Sequence, residues 1–400
     1  MGKTLRRLTN LLFLTILLLF GSAQQVLGQA GIEIVDAKAT HRFGEEIHFS
    51  AQIKASSPIK EVSLIFRDIK EENSRIFSLI ADEEGHIDYI YDASENLLHP
   101  FAEISYWFQV ELENGESLTG KKNFFTYSDN RFEWETREEA NLRVHWSEGD
   151  EAFGLAALDT ARVGLAGIKL LFAVDSNQPI DIYIYASPTD LQNALFMGGE
   201  SWVAGHASPD LGIIFVSIAP SAQEKTLMQQ YIPHELGHLL LYRYAGENYN
   251  LLPTWLLEGI ASMAELYANP DYELALQRAT ENNGIISIAE LCQAFPRDAS
   301  TAFLAYAESS SFTRYLYTNY GTSGLESLIT AYADGLSCEA GMMRSFGKSL
   351  EYHDANWQES VLGANILGVA WRAFLPYGLI LVLLLISPII SSLSSMKKDT

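Results

Sequence analysis

Apolar and polar residues alternate along much of the N-terminal third of the chain, as they do in strands that bury one face. The alternation is clearest at 47–53, 62–66 and 104–112. Asn114-Gly115 then provides the residue pair that a tight hairpin turn prefers. Short strands separated by turns, without a helical stretch, predict a β-sandwich of immunoglobulin-like type over residues 29–130. We expect it to be a spacer or a recognition module.

The pattern changes after about residue 138, where strand-like runs alternate with helical periodicity. The strand-like runs lie at 142–146, 181–185 and 211–218, with a long helical run at 151–172. Ser187-Pro188 opens a further helix with a capping residue and a proline in the first turn. Beyond residue 218 the chain is mostly helical. Strands early and helices late predict an α+β domain over residues 138–358.

The N-terminus has the composition of a secretory signal peptide. Lys3, Arg6 and Arg7 precede a short apolar run at 11–20, and small residues follow it. The apolar run is short for a membrane span, which favours cleavage over anchoring. We expect the signal peptide to occupy residues 1–28, although small residues also allow cleavage a few positions away.

The C-terminus predicts a membrane anchor. Residues 373–393 are apolar almost throughout, and as a helix they would reach about 30 Å, the thickness of a bilayer core. Lys397 and Lys398 follow, and the positive-inside rule assigns the tail 394–400 to the cytoplasm. With 359–372 as a linker, we expect a single-pass protein of the cell membrane. It would contact lipid through this helix and expose its domains outside. The alternative is a buried C-terminal core helix.

The composition narrows the classes of function. The chain has 48% hydrophobic residues, enough for folded cores, and a formal net charge of -23. Such acidity argues against nucleic acid as a partner, because binding phosphates requires clustered Lys and Arg. The two cysteines, Cys292 and Cys338, are too few for a cysteine-rich metal site. They form either a disulfide or two buried thiols.

Residues 234–238 read His-Glu-Leu-Gly-His. Side chains four apart lie on one face of a helix, so His234 and His238 can direct two ring nitrogens to one metal ion. Glu235 would lie beside the ion and act as a general base for the water that attacks the substrate. Pro233 indicates that the helix starts or kinks at this point. The alternative is a helix of the core in which the two histidines are hydrogen-bonded within the protein and bind no metal.

A metal site of this kind needs a third protein ligand and one open position. A second helix is predicted to begin near 253, and its Glu258 would face the two histidines across a turn. A longer metal-binding pattern, in which the third ligand is a histidine at position 244, is absent. It requires Gly at 241 and His at 244, but the chain has Leu241 and Tyr244.

The pairing of His-Glu-Leu-Gly-His with Thr-Trp-Leu-Leu-Glu-Gly-Ile-Ala at 254–261 resembles the gluzincin metallopeptidases, and the wider context resembles their peptidase MA-like group. The resemblance implies a zinc-dependent peptidase fold with Glu258 as the third zinc ligand. It also implies a tyrosine that stabilises the oxyanion, for which Tyr306 is the candidate and Tyr315 and Tyr320 are weaker alternatives. The strand at 211–218 would then pair with an extended peptide substrate.

Two further residues are open to more than one interpretation. His206 could contact substrate, although an incidental surface histidine is the simpler interpretation. Glu265 could orient a zinc ligand, but a solvated helix charge is the simpler interpretation.

The sequence therefore predicts a membrane-anchored zinc peptidase acting on peptides or proteins outside the cytoplasm. One rival is a catalytically inactive metal-binding ectodomain that uses the β-sandwich for adhesion or reception. The other is a structural protein without metal. The oligomeric state is not indicated.

Overall fold

The computed structural model of the protein describes residues 31–195 and 205–363. The chain divides into two compact units, with the boundary between Phe132 and Glu133. Sheets predominate in the N-terminal part and helices in the C-terminal part, which confirms the predicted mixed α+β class.

The first unit consists of two antiparallel sheets. Its strands are β1 (Ile32–Arg42), β2 (Glu46–Ala55), β3 (Ile59–Asp68), β4 (Arg75–Leu79), β5 (His86–Asp92), β6 (Glu103–Leu112), β7 (Ser117–Thr119) and β8 (Asn123–Thr126). One sheet has the order β1-β2-β5, and the other has the order β4-β3-β6-β7 with β8 also paired to β6.

The alternation of residue types explains how these two sheets hold together. In β2 every second side chain from Ile47 onward is buried, so that strand presents one apolar face. Phe49 of β2 lies 5.1 Å from the ring of Phe66 and 5.3 Å from that of Tyr106, both in the other sheet. The sheets thus pack through their apolar faces, as the period-two pattern requires. Their immunoglobulin-like relationship stays a prediction.

The second unit begins with a five-stranded mixed sheet and continues with helices. The strands are β9 (Glu135–Glu139), β10 (Leu142–Trp146), β11 (Ile180–Tyr185), β12 (Gly205–Ser208) and β13 (Ile213–Ser217). The helices are α1 (Glu151–Leu171), α2 (Pro188–Leu195), α3 (Glu224–Ala245), α4 (Thr254–Ala264), α5 (Pro270–Glu281), α6 (Ala299–Ala333), α7 (Cys338–Phe346) and α8 (Leu350–Ser360). Short 3₁₀ helices span Gly246–Leu251 and Glu290–Cys292.

The sheet order is β12-β13-β11-β10-β9, and its three central strands run parallel. β13 is paired on both sides, with β11 and with β12. The prediction that the strand at 211–218 pairs with substrate is therefore wrong, because the backbone groups of both its edges are already engaged. On this side of the sheet the edge strand among the described residues is β12, and β9 forms the opposite edge.

The core of this unit lies between one face of the sheet and the helices. Val144, Ile182 and Val216 of the sheet are fully buried in the same apolar cluster as Leu236 and Leu240 of α3. Helix α3 begins well before Pro233 and continues through it, so the proline does not start the helix. Helix α6 changes direction at Gly321, whose φ of 65° interrupts the helical geometry.

Cys292 and Cys338 form a disulfide, with their Cα atoms 6.3 Å apart and a sequence separation of 46 positions. The bond joins the 3₁₀ helix after α5 to the first residue of α7. The indole N–H of Trp255 lies 3.4 Å from the Cys338 sulfur. Of the two alternatives for these cysteines, the structure shows the disulfide.

Within residues 31–195 and 205–363 no helix is both long enough and apolar enough to cross a bilayer. The predicted signal peptide at 1–28, the span at 373–393 and the tail at 394–400 lie outside the described residues. The predicted linker, 359–372, is described only as far as residue 363, and α8 extends into it to Ser360.

Glu308 of α6 is a buried carboxyl group two residues after Tyr306, and no role was predicted for it from the sequence. One of its oxygens accepts the backbone N–H of Ile286 at 3.0 Å. The other has no hydrogen-bond partner in the described part of the chain. Burial raises the pKa of Glu308 to about 8, even though the Ile286 hydrogen bond opposes the change. Glu308 is therefore protonated near neutral pH.

This raised pKa predicts a specific pH dependence of stability. The protonated form stabilises the fold fully below the unfolded-state pKa of 4.5, and this contribution declines as the pH rises to about 8. Glu308→Gln, which resembles the neutral acid, should become more stable than the wild type by about 1.4 kcal/mol per pH unit in this window. Denaturant unfolding of both proteins at several pH values measures the difference. Glu359→Gln, at an exposed position, is the control, and an unchanging difference for Glu308→Gln would contradict the prediction.

Candidate metal centre

Helix α3 places His234 and His238 one turn apart, with ring centroids separated by 5.1 Å. The helix is held in place by its apolar face, where Leu236, Leu239 and Leu240 are fully buried. The two imidazoles lie on another face, toward a cavity. The predicted pairing of the two rings on one helix face is what the structure shows.

Helix α4 brings Glu258 opposite these rings. The two helices approach so closely that a Cβ atom added to Gly237 would lie 2.9 Å from the Cα atom of Ala261. Real Cβ atoms essentially never come this close, so only glycine fits at position 237 without a shift of α4. The Oε2 atom of Glu258 lies 3.5 Å from the Nε2 atoms of both His234 and His238.

These three residues form a group that could hold a metal ion. Ligand atoms about 2.0–2.2 Å from one tetrahedral ion are roughly 3.3–3.6 Å apart. The observed separations of 3.5 Å fit this arrangement.

A second group of three ligand-type residues lies in the first unit, at Asp68, Glu71 and His99. Its members already interact with each other or with the side chain of a nearby arginine. Asp68 lies 3.0 Å from the His99 Nδ1 atom, and Glu71 forms an ion pair with Arg75. This group is therefore the weaker candidate.

The other ring nitrogens of the two histidines also have partners. His234 Nδ1 lies 3.0 Å from Glu265 Oε1, and His238 Nδ1 lies 3.1 Å from the Tyr249 hydroxyl. If each Nδ1 donates its proton to that partner, the lone pair of each Nε2 faces Glu258. Carboxylate or hydroxyl partners of this kind fix the tautomer and orientation of metal-binding histidines.

The interpretation of Glu265 as a solvated charge is wrong. Helix α4 ends at Ala264, and the chain then turns so that only 7% of the Glu265 side chain is exposed. The sequence analysis did not predict a role for Tyr249. It lies in the 3₁₀ helix after α3, and no local pattern distinguishes it from the tyrosines around it.

Glu235 lies next to the histidines and is also buried, with 7% exposure. Its carboxylate packs directly against the backbone of β12, since a Cβ atom on Gly205 would lie 2.4 Å from Glu235 Oε1. Burial raises the pKa of Glu235, and the nearby imidazoles of His234 and His238 oppose part of this effect.

The site is electrostatically suited to a cation. Burial alone would lower the pKa of His234, but hydrogen bonds with Glu258 and Glu265 hold it well above its ordinary value. Burial would also raise the pKa of Glu258, yet the two histidines lower it strongly. The carboxylates thus attract positive charge to the space between the rings, and a metal ion competes with protons for that space.

Two cavities open beside Glu235. The larger, of about 570 Å³, contains polar groups from His206, Asp210 and Asn250, and the smaller, of about 390 Å³, has aromatic walls. Gly205, His234, Glu235 and Tyr306 line both of them. A substrate lying across Glu235 would therefore contact both cavities.

Tyr306 lies on α6 beside Glu235, and its ring packs against Phe295 at 5.2 Å. The weaker alternatives are elsewhere. Tyr315 packs on Phe312, Tyr320 stacks on Phe346, and neither lines a cavity beside Glu235. Of the three tyrosines, the structure brings only Tyr306 to the predicted site.

His206 is on the edge strand β12, half-buried and stacked over Phe215 with centroids 6.5 Å apart. It lines the larger cavity, so it is not an incidental surface residue. Burial lowers the pKa of His206, and the neighbouring His238 lowers it further.

Comparison with known structures contributes little. A polysaccharide deacetylase from Bacillus cereus is 12% identical, with 48% of this chain and 70% of that chain covered and a TM-score of 0.20. A putative polysaccharide deacetylase from Bacillus anthracis is 9% identical, with 47% and 60% covered and a TM-score of 0.20. The purple acid phosphatase of yellow lupin (Lupinus luteus) seeds is 11% identical, with 46% and 35% covered and a TM-score of 0.20. The match spans less than two thirds of the last two proteins. Scores this low carry no argument.

No curated protein is similar enough to this chain to count as a match. In contrast, the family model of the Peptidase MA superfamily matches residues 160–363, which contain α3, α4 and α6. Proteins of this superfamily are typically metal-dependent, in agreement with a residue group that could hold a metal ion. Because this match covers just over half of its length, the chain belongs to the Peptidase MA superfamily.

Proposed function

We propose that the protein is a zinc metallopeptidase that hydrolyses peptide bonds in peptides or proteins. The observation that carries this proposal is the position of the Glu258 carboxylate, 3.5 Å from both imidazole Nε2 atoms and beside the buried Glu235. His234, His238 and Glu258 are the proposed zinc ligands.

Zinc fits this set of ligands better than other common metals. Two imidazoles and one carboxylate form a typical catalytic zinc site, which keeps a fourth position open. Magnesium and calcium prefer sites made only of oxygen atoms. Both cysteines are in the disulfide, so no thiolate competes for the ion.

A zinc ion held there would lower the pKa of a water molecule and polarise the substrate carbonyl. Glu235 takes the proton of the attacking water and transfers it to the leaving amine. Burial supports this role because it raises the pKa of Glu235 and so makes the carboxylate a stronger proton acceptor. The Tyr306 hydroxyl donates a hydrogen bond to the oxygen on which negative charge develops.

The edge strand β12 is the proposed backbone contact for substrate. Its one strand partner among the described residues is β13, so its other edge is open to an extended peptide. Gly205 at the start of β12 touches Glu235, so a peptide bound along this strand passes the catalytic carboxylate.

We also propose that the enzyme is anchored in the cell membrane by residues 373–393, with both units outside the cytoplasm. The apolar segments at the two ends of the chain support this location. The Cys292–Cys338 disulfide supports it as well, because disulfides persist in oxidising compartments.

Glu235→Gln tests the proposed general base. The variant keeps the size of the side chain but cannot accept a proton, so kcat should fall about 10³-fold. Zinc content, measured by elemental analysis, should stay at the wild-type level because the three ligands are intact. Glu247→Gln, on the exposed 3₁₀ helix, serves as the control. Retained turnover in Glu235→Gln would reject Glu235 as the general base, whereas absence of turnover in the zinc-loaded wild type would favour the rival, an inactive metal-binding ectodomain.

Glu265→Gln tests the orientation of His234. The amide can still accept a hydrogen bond from Nδ1, but it lacks the charge, so zinc affinity should fall about 10-fold or more. Competition with a chromophoric chelator measures the affinity. Glu273→Gln on the exposed side of α5 should leave it unchanged. An unaltered affinity in Glu265→Gln would show that the hydrogen bond does not position the ligand.

Tyr306→Phe removes one hydroxyl group and leaves the ring packed against Phe295. We expect kcat to fall about 10²-fold with little change in KM or zinc content, because the lost hydrogen bond acts mainly in the transition state. Tyr315→Phe is the matched control. A larger loss in Tyr315→Phe than in Tyr306→Phe would reject the assignment.

A further inference from the structure

Helix α4 must hold Glu258 opposite the two histidines of α3 if the three residues are to bind one ion. Glu258 lies in the second turn of this helix, which begins at Thr254. The residue before it, Pro253, has no polar side chain to cap the helix. Polar capping side chains usually satisfy and fix the first turn of a helix. The start of α4 therefore depends on other contacts for its position.

Trp255 provides such a contact. Its side chain is fully buried, and its ring packs against Phe312 at 5.1 Å and Tyr332 at 6.4 Å, both on α6. Trp255 precedes Glu258 by three residues, which is a rise of about 4.5 Å along the helix axis. Because the two side chains belong to neighbouring turns of one helix, a displacement of the indole also displaces the carboxylate.

The polar end of the indole is directed at the disulfide. The N–H of Trp255 donates to the sulfur of Cys338 across 3.4 Å. Cys338 is held in turn, because the hydroxyl of Tyr332 donates to its carbonyl oxygen at 2.9 Å. Sulfur is a weak acceptor, but a buried N–H that lost its partner would be unfavourable. The sulfur of Cys338 therefore helps to determine where the indole lies.

The disulfide fixes that sulfur from two sides. Cys292 belongs to the second 3₁₀ helix, whereas Cys338 is the first residue of α7. Leu291, next to Cys292, is 1% exposed and lies in the same apolar cluster as Trp255. If the bond opened, α7 alone would hold the sulfur of Cys338, and its restraint from the 3₁₀ helix would be lost.

Two further points connect this contact with metal binding. Distances between a metal ion and its ligands are set to within about 0.2 Å, so a small displacement of α4 weakens binding. Both Cys292 and Cys338 are half-buried rather than enclosed in the core, so a small reductant can approach the bond.

We propose that the Cys292–Cys338 disulfide is a positioning element of the metal centre, which acts through Trp255 to hold Glu258 opposite the two histidines. Reductive opening of the bond therefore lowers the affinity of the folded protein for zinc. This inference rests on the proposed function, in which Glu258 is the third zinc ligand.

Cys292→Ala/Cys338→Ala removes the bond and the sulfur acceptor together and introduces no thiol that binds zinc. Its zinc affinity, measured by competition with a chromophoric chelator, should fall about 10-fold or more, as when other partners that orient metal ligands are lost. The absorption spectrum of the cobalt-substituted centre should also change, because the carboxylate ligand moves. Val144→Ala on β10 is the control, since it weakens the core of the same unit from within the sheet.

A disulfide that only stabilises the fold gives a different result. The double alanine variant would then unfold at a lower denaturant concentration, as Val144→Ala does, while the zinc affinity and the cobalt spectrum of the folded protein match those of the wild type. This outcome overturns the inference and leaves the proposed function intact. A wild type that binds neither zinc nor cobalt rejects the proposed function together with the inference.

Trp255→Phe tests whether the effect passes through the indole. The variant retains the disulfide and an aromatic ring in the core, but it lacks the N–H that reaches Cys338. Zinc affinity should fall about 3-fold, which corresponds to one weak hydrogen bond. Removing the disulfide in this background should have a smaller effect than in the wild type, because residues that act through one contact are not additive. Fully additive effects overturn the assignment to Trp255.

Treatment of the zinc-loaded wild type with a trialkylphosphine tests the reductive opening. The phosphine is oxidised to its oxide with the oxygen of a water molecule, and the two protons of that water convert both sulfurs to thiols. Titration should then find the two cysteines of the chain as free thiols, and zinc affinity should be about 10-fold lower. The double alanine variant, treated in the same way, should not change. Two free thiols with unaltered zinc affinity overturn the inference.

Discussion

The site depends on the close approach of two helices. Gly237 leaves no Cβ atom between α3 and Ala261 of α4, and this contact sets where Glu258 stands relative to the two imidazoles. With a larger residue at 237, α4 would move outward by a side-chain radius. The Glu258 carboxylate would then be too far from His234 and His238 for one ion to bridge all three. A packing constraint in the core therefore determines whether the site can bind metal.

The same region concentrates charge that the rest of the fold must compensate. Three carboxylates, from Glu235, Glu258 and Glu265, lie with two imidazoles in a largely buried space. Buried charges are costly unless they are paired. Here Glu258 and Glu265 are paired with histidines, while Glu235 responds to burial with a raised pKa. A divalent cation would neutralise this cluster more completely than protons do, which links the stability of the site to its proposed chemistry.

The sheet contributes to the candidate site through an edge strand rather than through its central strands. β12 is the strand that touches Glu235, and its antiparallel pairing with β13 orients His206 over Phe215 and Gly205 toward the helix. Gly205 of this edge strand and Tyr306 of α6 line both the larger and the smaller cavity, and both cavities border Glu235.

Local sequence patterns predicted several of these features. Helical spacing alone pairs His234 with His238, and alternation alone indicates that β2, β3 and β6 bury one face. The family resemblance indicated Glu258 and Tyr306, which lie on helices other than the one that carries the histidines.

Tertiary structure decided what local spacing does not encode. Glu265 is buried because the chain turns at the end of α4, and a solvated helix charge has the same sequence context. Tyr249 reaches His238 through a 3₁₀ helix, and the strand at 211–218 is internal because the short β12 pairs with its edge. The pairing of the two cysteines was also decided by the tertiary structure, because a contact between residues 46 positions apart in sequence depends on how the helices pack. The local sequence determined which residues could bind metal and which helices carry them. Only the packing of those helices against other elements determined the partners that orient the metal-binding side chains.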